Sequence, residues 1–347
     1  MTWPTPWDPY GIYADPIGHW IVVVVACLLM VGAVLTVTAH VVYAERRVMG
    51  LMQKRPGPNR VGPAGLLQMA ADGVKLVFKE SFIPADVDKF TYLMAPMIGV
   101  IAALVAWTVV PIGLAGPMTY WVANVNIGIL LIFGVSAMNV YAIMLGGWSS
   151  NNKYSLLGGL RSAAQLISYE MALGLALVPT FMIVGSLRLQ DIAAYHVHWF
   201  GQTFPIPLLL LTPVGFLIYI VAAVAETNRA PFDLPEAEQE LTGGFLTEYS
   251  GLKFMMFYLA EYMNVLLQSV LIVILFLGGS GFGGGPIPGF FVLFAKVLVL
   301  VFCFIWLRAT VPRLRYDRLM RLGWKVMLPL ALANVVVTAV VVELAQG

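Results

Sequence analysis

The chain has 347 residues, 60% of them apolar and 11% charged, with a formal net charge of +2 and a mean hydropathy of +0.86. A soluble domain carries about 25% charged and about 45–50% apolar residues, so these figures exclude an ordinary soluble globule, a disordered chain and a nucleic-acid binder. At about 20 apolar residues per membrane helix, the length allows on the order of eight spans with their connections.

Hydropathy accordingly predicts an all-α membrane protein of eight spans in a single polytopic domain: Ile17–Tyr43, Tyr92–Leu114, Val125–Gly146, Ala163–Ser186, Pro207–Ala225, Phe254–Leu277, Phe290–Leu307 and Gly323–Leu344. Ahead of the first span, Trp3, Trp7, Tyr10 and Tyr13, with Trp20 just inside it, suit an interfacial belt. The segment has no basic n-region and no evident cleavage site, so the first span is expected to be retained.

The first connection, residues 44–91, is basic: Arg46, Arg47, Lys54, Arg55, Arg60, Lys75, Lys79 and Lys89. Within it, Leu66, Leu67, Ala70, Val74 and Val77 recur at helical spacing, with Gln68, Asp72, Lys75 and Lys79 on the opposite stripe. This predicts an amphipathic surface helix over about 65–80. Its polar stripe is either a solvated face or the lining of a partner contact or ligand entrance.

Further along, charges fall where a bilayer disfavours them. Glu170 lies inside span four, Glu226 closes span five, Glu261 lies inside span six and Lys296 inside span seven. A charge at a helix centre costs roughly 2.5–3.5 kcal/mol on insertion scales. Two uses offset that cost: an ion pair joining helices, such as Lys296 with Glu170 or Glu261, or a proton relay. Glu343, near the end of the last span, is expected to snorkel. His196 and His198 form an H-x-H in the connection before span five, a weak metal pattern.

The connection after span five, residues 226–253, is the most unusual stretch. From Glu226 to Glu248 it holds Glu226, Asp233, Glu236, Glu238, Glu240 and Glu248 against Arg229 alone. An acidic solvated loop is the ordinary reading. Pro231, Phe232, Leu234, Pro235, Ala237 and Leu241 are interleaved with the carboxylates, which points to a packed loop instead. Glu236, Glu238 and Glu240 would share a face only in an extended segment.

Of the 20 lysines and arginines, all but Arg188 and Lys296 fall in or beside the first, third, fifth and seventh connections. By the positive-inside rule those connections face the cytoplasm or matrix and both termini face outward. The only thiols, Cys27 and Cys303, are too few to ligate an iron–sulfur cluster. The glycine-rich Arg55–Gly65 stretch matches neither a P-loop nor a dinucleotide fingerprint. Any electrons handled here therefore come from a partner.

Two long segments, GLLQMAADGVKLVFKE (Gly65–Glu80) and PFDLPEAEQELTGG (Pro231–Gly244), resemble the signatures of the H-subunit (mitochondrial ND-one type) family of proton-translocating NADH:quinone oxidoreductase, respiratory complex I. AERRVMGLMQKRPGPNRVGP, SNNKYSLLGGLRSAAQLISYEMALG, ETNRAPFDLPE, AEYMN and RATVPRLRYDRLMRLGWK fit the same family in order, from about Tyr43 to Pro329. The resemblance implies a non-redox membrane subunit at the junction of the membrane and peripheral arms. It implies no cofactor on this chain, quinone (ubiquinone or menaquinone) as substrate, and NADH, FMN and iron–sulfur clusters held in partner subunits. The implied partners are the quinone-site peripheral subunits, small membrane subunits and antiporter-like membrane subunits. The longer N-terminus and the topology favour a bacterial inner membrane over a mitochondrial one. Carried over by position, a quinone tunnel would be bordered by Arg46, Arg55, Asp72, Lys75, Arg229 and Phe232. A proton route would use Glu170, Glu226, Asp233, Glu236, Glu238 and Glu240, with Glu248 and Glu261 accessory. A stand-alone secondary transporter and the anchor component of a membrane-bound hydrogenase are the competing readings.

Overall fold

A computed structural model describes residues 16–112, 122–195, 197–199, 202–204, 207–234, 238–280 and 289–346. Trp3, Trp7, Tyr10, Tyr13, His196 and Glu236 lie outside the described residues. The described chain is helical apart from a small hairpin, β1 (Val197–Trp199) against β2 (Gln202–Phe204). Among the described residues, seven stretches are long and apolar enough to cross a membrane.

The first is α1 (Pro16–Met52), which runs well past the apolar window that ends at Tyr43. Glu45, Arg46 and Arg47 are sound helix formers, so the helix continues after the hydropathy signal stops. The surface helix is α2 (Gln68–Phe78), shorter than the periodicity suggests, because Pro63–Gly65 forms a separate 3-10 turn ahead of it. Next come α3 (Lys89–Trp107), then α4 (Gly128–Ser136) and α5 (Met138–Ser149), which together make the third long stretch. The 32-residue α6 (Lys153–Val184) starts ten residues before its expected span. Asn152 caps it by accepting from the Tyr154 N–H, and Gly185 ends it at φ 72°.

The expected fifth span is the main difference. After the short α7 (Leu189–Ala193), the single turn α8 (Leu208–Leu211) is separated by Thr212 from α9 (Pro213–Glu226), which has 14 residues. Thr212 sits at φ −129° and ψ 58°, out of helical geometry. The cause is local: a residue before proline is pushed away from the helical region. At 1.5 Å per residue, α9 alone reaches about 21 Å. One turn of helix, α10 (Glu238–Leu241), lies in the acidic loop and is followed by α11 (Gly251–Phe276) and α12 (Gly289–Thr310). The last stretch is continuous from α13 (Tyr316–Arg321) through a π-helical segment (Leu322–Met327) into α14 (Leu328–Gln346).

Helix α11 is the centre of the bundle. Its residues Val265 to Phe276 are all buried, and α1, α3, α9 and α12 pack around it. Outward faces stay apolar: Trp20, Val24 and Leu28 on α1, and Val336, Val340 and Leu344 on the last helix, are all more than half exposed. Contiguous apolar surface on this scale belongs against lipid or a partner protein. The Lys296 Nζ donates to the carbonyl oxygens of Leu277 (2.9 Å) and Gly279 (2.7 Å), satisfying the C-terminal end of α11.

The connections gather at two ends. Residues Pro84–Val87, Ser150–Tyr154 and Glu248 line one cleft. The Leu314 N–H donates to the Pro231 carbonyl at 2.9 Å, and Arg161 pairs with Glu240 at 2.9 Å. This end carries most of the basic residues and is called the basic end below. At the other end, the Ile129 N–H reaches the Leu187 carbonyl at 3.4 Å.

Close helix approach depends on glycine at one contact in particular. A Cβ on Gly147 of α5 would stand 2.7 Å from the Ser155 carbonyl oxygen on α6, whereas one on Gly134 of α4 meets nothing within 4 Å. Gly147→Ala is expected to destabilise the bundle by about 1–3 kcal/mol through overpacking, with Gly134→Ala close to neutral. Thermal unfolding of the two variants in detergent checks the contrast.

Candidate functional site

The end of α1 and the surface helix are tied by charge. Arg46 donates to Asp72 at 2.6 Å, Gln68 donates to the same carboxyl at 3.1 Å, and Lys75 stands 3.4 Å away. Burial alone would raise the Asp72 pKa; the bonds from Arg46 and Gln68 outweigh it and hold the carboxyl below its usual value. Arg47 and Tyr43 both donate to the Ala64 carbonyl at 2.6 Å, fixing the turn ahead of α2. Arg55 stands apart on the loop, bonded to Gln53 at 2.7 Å. Thus Arg46, Asp72 and Lys75 come together, and Arg55 does not join them.

A second cluster lies deeper. Arg229, 6% exposed, follows α9 and reaches across the bundle. Its Nε lies 2.9 Å from Glu261 of α11, a close charge contact, and its Nη1 lies 3.7 Å from Glu45 of α1. The guanidinium covers the Tyr262 ring, 4.0 Å from its centroid. Arg308 of α12 also donates to Glu45. Burial disfavours the Arg229 charge; Glu261, Tyr262 and Glu45 outweigh that and raise its pKa, so it stays cationic. Two carboxylates and two arginines therefore join α1, α11, α12 and the acidic loop.

Glu261 also faces a second partner. It lines an internal cavity together with Glu226, Thr227, Asn139, Asn228 and Asn264. The cavity volume is about 20 Å³, enough for one water, which needs roughly 10–15 Å³ and two to four polar partners. Behind it, Gln268 of α11 donates to Glu226 at 2.8 Å and accepts from the Tyr219 hydroxyl at 2.9 Å. Glu170 of α6 and Ser136 of α4 lie close enough to Glu226 to act on its charge. On the same turn, Gln165 donates to the Ala225 carbonyl at 2.7 Å and to Asn228 at 3.3 Å, holding the end of α9 against α6.

The acidic loop does not present its carboxylates as one row. Phe232 is buried against Tyr169, ring centroids 5.7 Å apart, and Asp233 is half-buried beside it. Glu238 opens the helical turn α10, so Glu238 and Glu240 are not on an extended strip. Glu240 is turned to Arg161 at the surface. Glu248 accepts from Asn152 at 2.7 Å, at the basic end.

Sequence reasoning missed Glu45, Arg308, Asn264 and Gln268. Glu45 was obscured by lying just past the apolar window. The other signal was legible: Glu261, Asn264 and Gln268 follow i, i+3, i+7 spacing, a polar stripe on a helix otherwise buried in apolar contacts.

The fold and the site define a multi-pass helical membrane protein with carboxylates and arginines clustered in its interior. Residues 24–339 match the NADH dehydrogenase family. The H subunit of NADH-quinone oxidoreductase from Rhodospirillum centenum is 46% identical over 341 residues, covering 96% of each chain. The second H subunit of the same enzyme from Geobacter metallireducens is 47% identical, covering 96% of this chain and 99% of the relative. Subunit 8 from Thermus thermophilus is 47% identical, covering 99% and 90%. The chain belongs to the H-subunit family of NADH-quinone oxidoreductase, complex I.

Two outcomes follow from the charge clusters. Arg229→Met leaves Glu45 and Glu261 short of a buried cation and is expected to destabilise the protein by about 3–5 kcal/mol; Arg229→Lys loses the ring stacking and the planar fork and recovers only part of it. Thermal unfolding of the purified protein measures both. The Asp72 pKa is lower folded than unfolded, so its tie is fully present above the unfolded value of about 3.9 and lost as pH falls through the folded value. Hydrogen exchange in α2 should therefore be the same at pH 6 and pH 8 after correction for intrinsic rates, and Asp72→Asn should speed it at both.

Proposed function

We propose that this chain is the membrane subunit of complex I that borders the quinone-access tunnel and passes the consequence of quinone reduction to a buried carboxylate route. The observation that carries the reading is the position of Glu261. One carboxylate contacts Arg229 on the loop side and faces Glu226 across a water-sized cavity on the other.

The tunnel is assigned to the region of Arg46, Asp72, Lys75, Arg229 and Phe232, with Arg55 on its outer approach. The tied α1–α2 pair supports this, since it leaves Leu67, Val74, Val77 and Phe78 exposed beside a fixed polar stripe. Such a border suits an amphiphile with a polar head and a long apolar tail. Quinone reduction takes up two electrons and two protons. Charge that develops near Arg229 acts on Glu261 at short range, and low dielectric extends the reach of that change to Glu226 and Glu170. Asp233, Glu236, Glu238, Glu240 and Glu248 are assigned to the entry and surroundings of the route. Differential protonation then links the tunnel to neighbouring membrane subunits.

In this reading the chain crosses the membrane eight times, with α8 and α9 together as the fifth crossing, and both termini lie outside. The gathering of odd-numbered connections at the basic end supports that arrangement. The segments 44–91 and 226–253 form the inner docking surface for the peripheral quinone-site subunits. Small membrane subunits and antiporter-like subunits lie alongside in a bacterial inner membrane. Ubiquinone or menaquinone is the substrate. NADH, FMN and the iron–sulfur clusters belong to partners, and the isolated chain is not catalytic.

Glu226→Gln and Glu170→Gln keep side-chain volume and remove the exchangeable proton. Each is expected to leave the complex assembled while lowering quinone-linked proton pumping at least about tenfold; positioned acid–base groups typically contribute roughly 10²–10⁴-fold. Pumping and turnover in proteoliposomes measure this. Wild-type protons per electron with wild-type turnover would rule out the route.

A further inference from the structure

Two helix faces border one seam that leads from the basic end into the bundle. On α5 and its C-terminal cap the face carries Ser150, Gly146, Ile143 and Asn139; on α11 it carries Phe257, Glu261, Asn264 and Gln268. Both follow helical spacing, so each set lies on one stripe. At the basic end the seam opens into a cleft of about 330 Å³ that Asp86, Ser150, Lys153 and Glu248 help to line. At its inner end lies the cavity of about 20 Å³ between Glu226 and Glu261. Ser150 lies seven residues beyond Ile143 at the end of α5, about 10 Å at 1.5 Å per residue.

Aromatic rings fill that interval. Tyr249 stacks on Tyr92 with centroids 4.3 Å apart, and Phe257 meets Tyr249 edge-on at 4.9 Å. Phe245 meets Phe257 edge-on at 5.2 Å. The Tyr249 hydroxyl donates to the Tyr92 carbonyl at 3.1 Å and lies beside the hydroxyls of Ser149 and Ser150. The stack borders the cavity directly through Phe245 and Phe257, and adjoins the cleft through Ser150 beside the Tyr249 hydroxyl. Gly146 makes room for it, since a Cβ there would stand 3.0 Å from the Phe257 ring.

We infer that this seam is an inlet for water and protons from the basic end to the Glu226–Glu261 cavity, closed by the Tyr249–Phe257 stack and separate from the quinone tunnel. The rings are packed among apolar residues, Val87, Ala95, Val140, Ile143 and Leu246. That apolar cluster lies between a charged cleft and a cavity bearing two carboxylates and three asparagines, Asn139, Asn228 and Asn264. Those groups supply the partners that an ordered water requires. Rotation of the Phe257 ring joins the two compartments without moving a helix, and a water file then carries a proton inward. The inference rests on the proton-route reading of Glu226.

The test uses the whole complex in sealed vesicles, with Cys27→Ser and Cys303→Ser. Asn264→Cys places a thiol in the cavity, and Lys153→Cys, in separate vesicles, places one in the cleft. A charged, membrane-impermeant methanethiosulfonate is applied to the basic-end face. Lys153→Cys should react promptly if the cleft stays open beside the docked peripheral subunits; an unreactive Lys153→Cys would show the cleft covered and would overturn an inlet from this face. Asn264→Cys should react slowly with Phe257 intact and about tenfold or more faster with Phe257→Ala, because a close-packed interior excludes the reagent. Phe257→Leu serves if the alanine variant does not assemble. Equal Asn264→Cys rates with and without the ring would overturn the inlet. In the modified complex, protons pumped per electron should fall. Fast modification with pumping per electron unchanged would show a passage that carries no protons, and would overturn its role. Failure of the Glu226 route alone would instead appear in Glu226→Gln, whatever the labelling rate.

Discussion

The arrangement depends on one buried cation. Arg229 cannot shed its charge, and it sits where water does not reach it freely. Its field is matched by Glu261, Glu45 and the Tyr262 face. Those groups belong to α11 and α1, and Glu45 is shared with Arg308 of α12. Placing that one guanidinium therefore sets where the loop after α9 meets three helices. The loop's neighbours follow: Phe232 packs on Tyr169, and Pro231 accepts from Leu314. A segment that composition would suggest to be solvated is packed because its only arginine is anchored inside the bundle.

The same demand explains the other interior polar groups. In hydrocarbon every backbone and side-chain polar atom needs an internal partner. Lys296 satisfies the end of α11, Gln268 bridges Tyr219 to Glu226, and Gln165 holds the last turn of α9. Glu226 and Glu261 differ in kind from these. Both face space for a water, so their partners can exchange without repacking the helices. Fixed pairs around an exchangeable centre are what a charge-coupled route requires.

Much of this was legible in the sequence, and the limits have physical causes. Long apolar windows located the seven long stretches, and periodicity found the surface helix. Hydropathy reports the apolar window, not the helix, so it lost Glu45 and the first turns of α6. The break at Thr212 was written in Pro213 but masked by the apolar residues on either side. The carbonyl acceptors that Lys296 reaches at the end of α11 carry no sequence mark. Even spacing made Glu236, Glu238 and Glu240 look alike, yet Glu240 faces Arg161 on the surface. Which carboxylate turns inward depends on contacts between helices far apart in the chain, and local pattern holds no record of those.

The central claim is that electron arrival at quinone changes the protonation of Glu226. Redox-induced infrared difference spectroscopy on the intact complex tests it most directly, comparing wild type with Glu226→Gln. The account predicts a carboxyl stretching band that appears on quinone reduction and is missing from the variant. An identical carboxyl difference spectrum in both would contradict it.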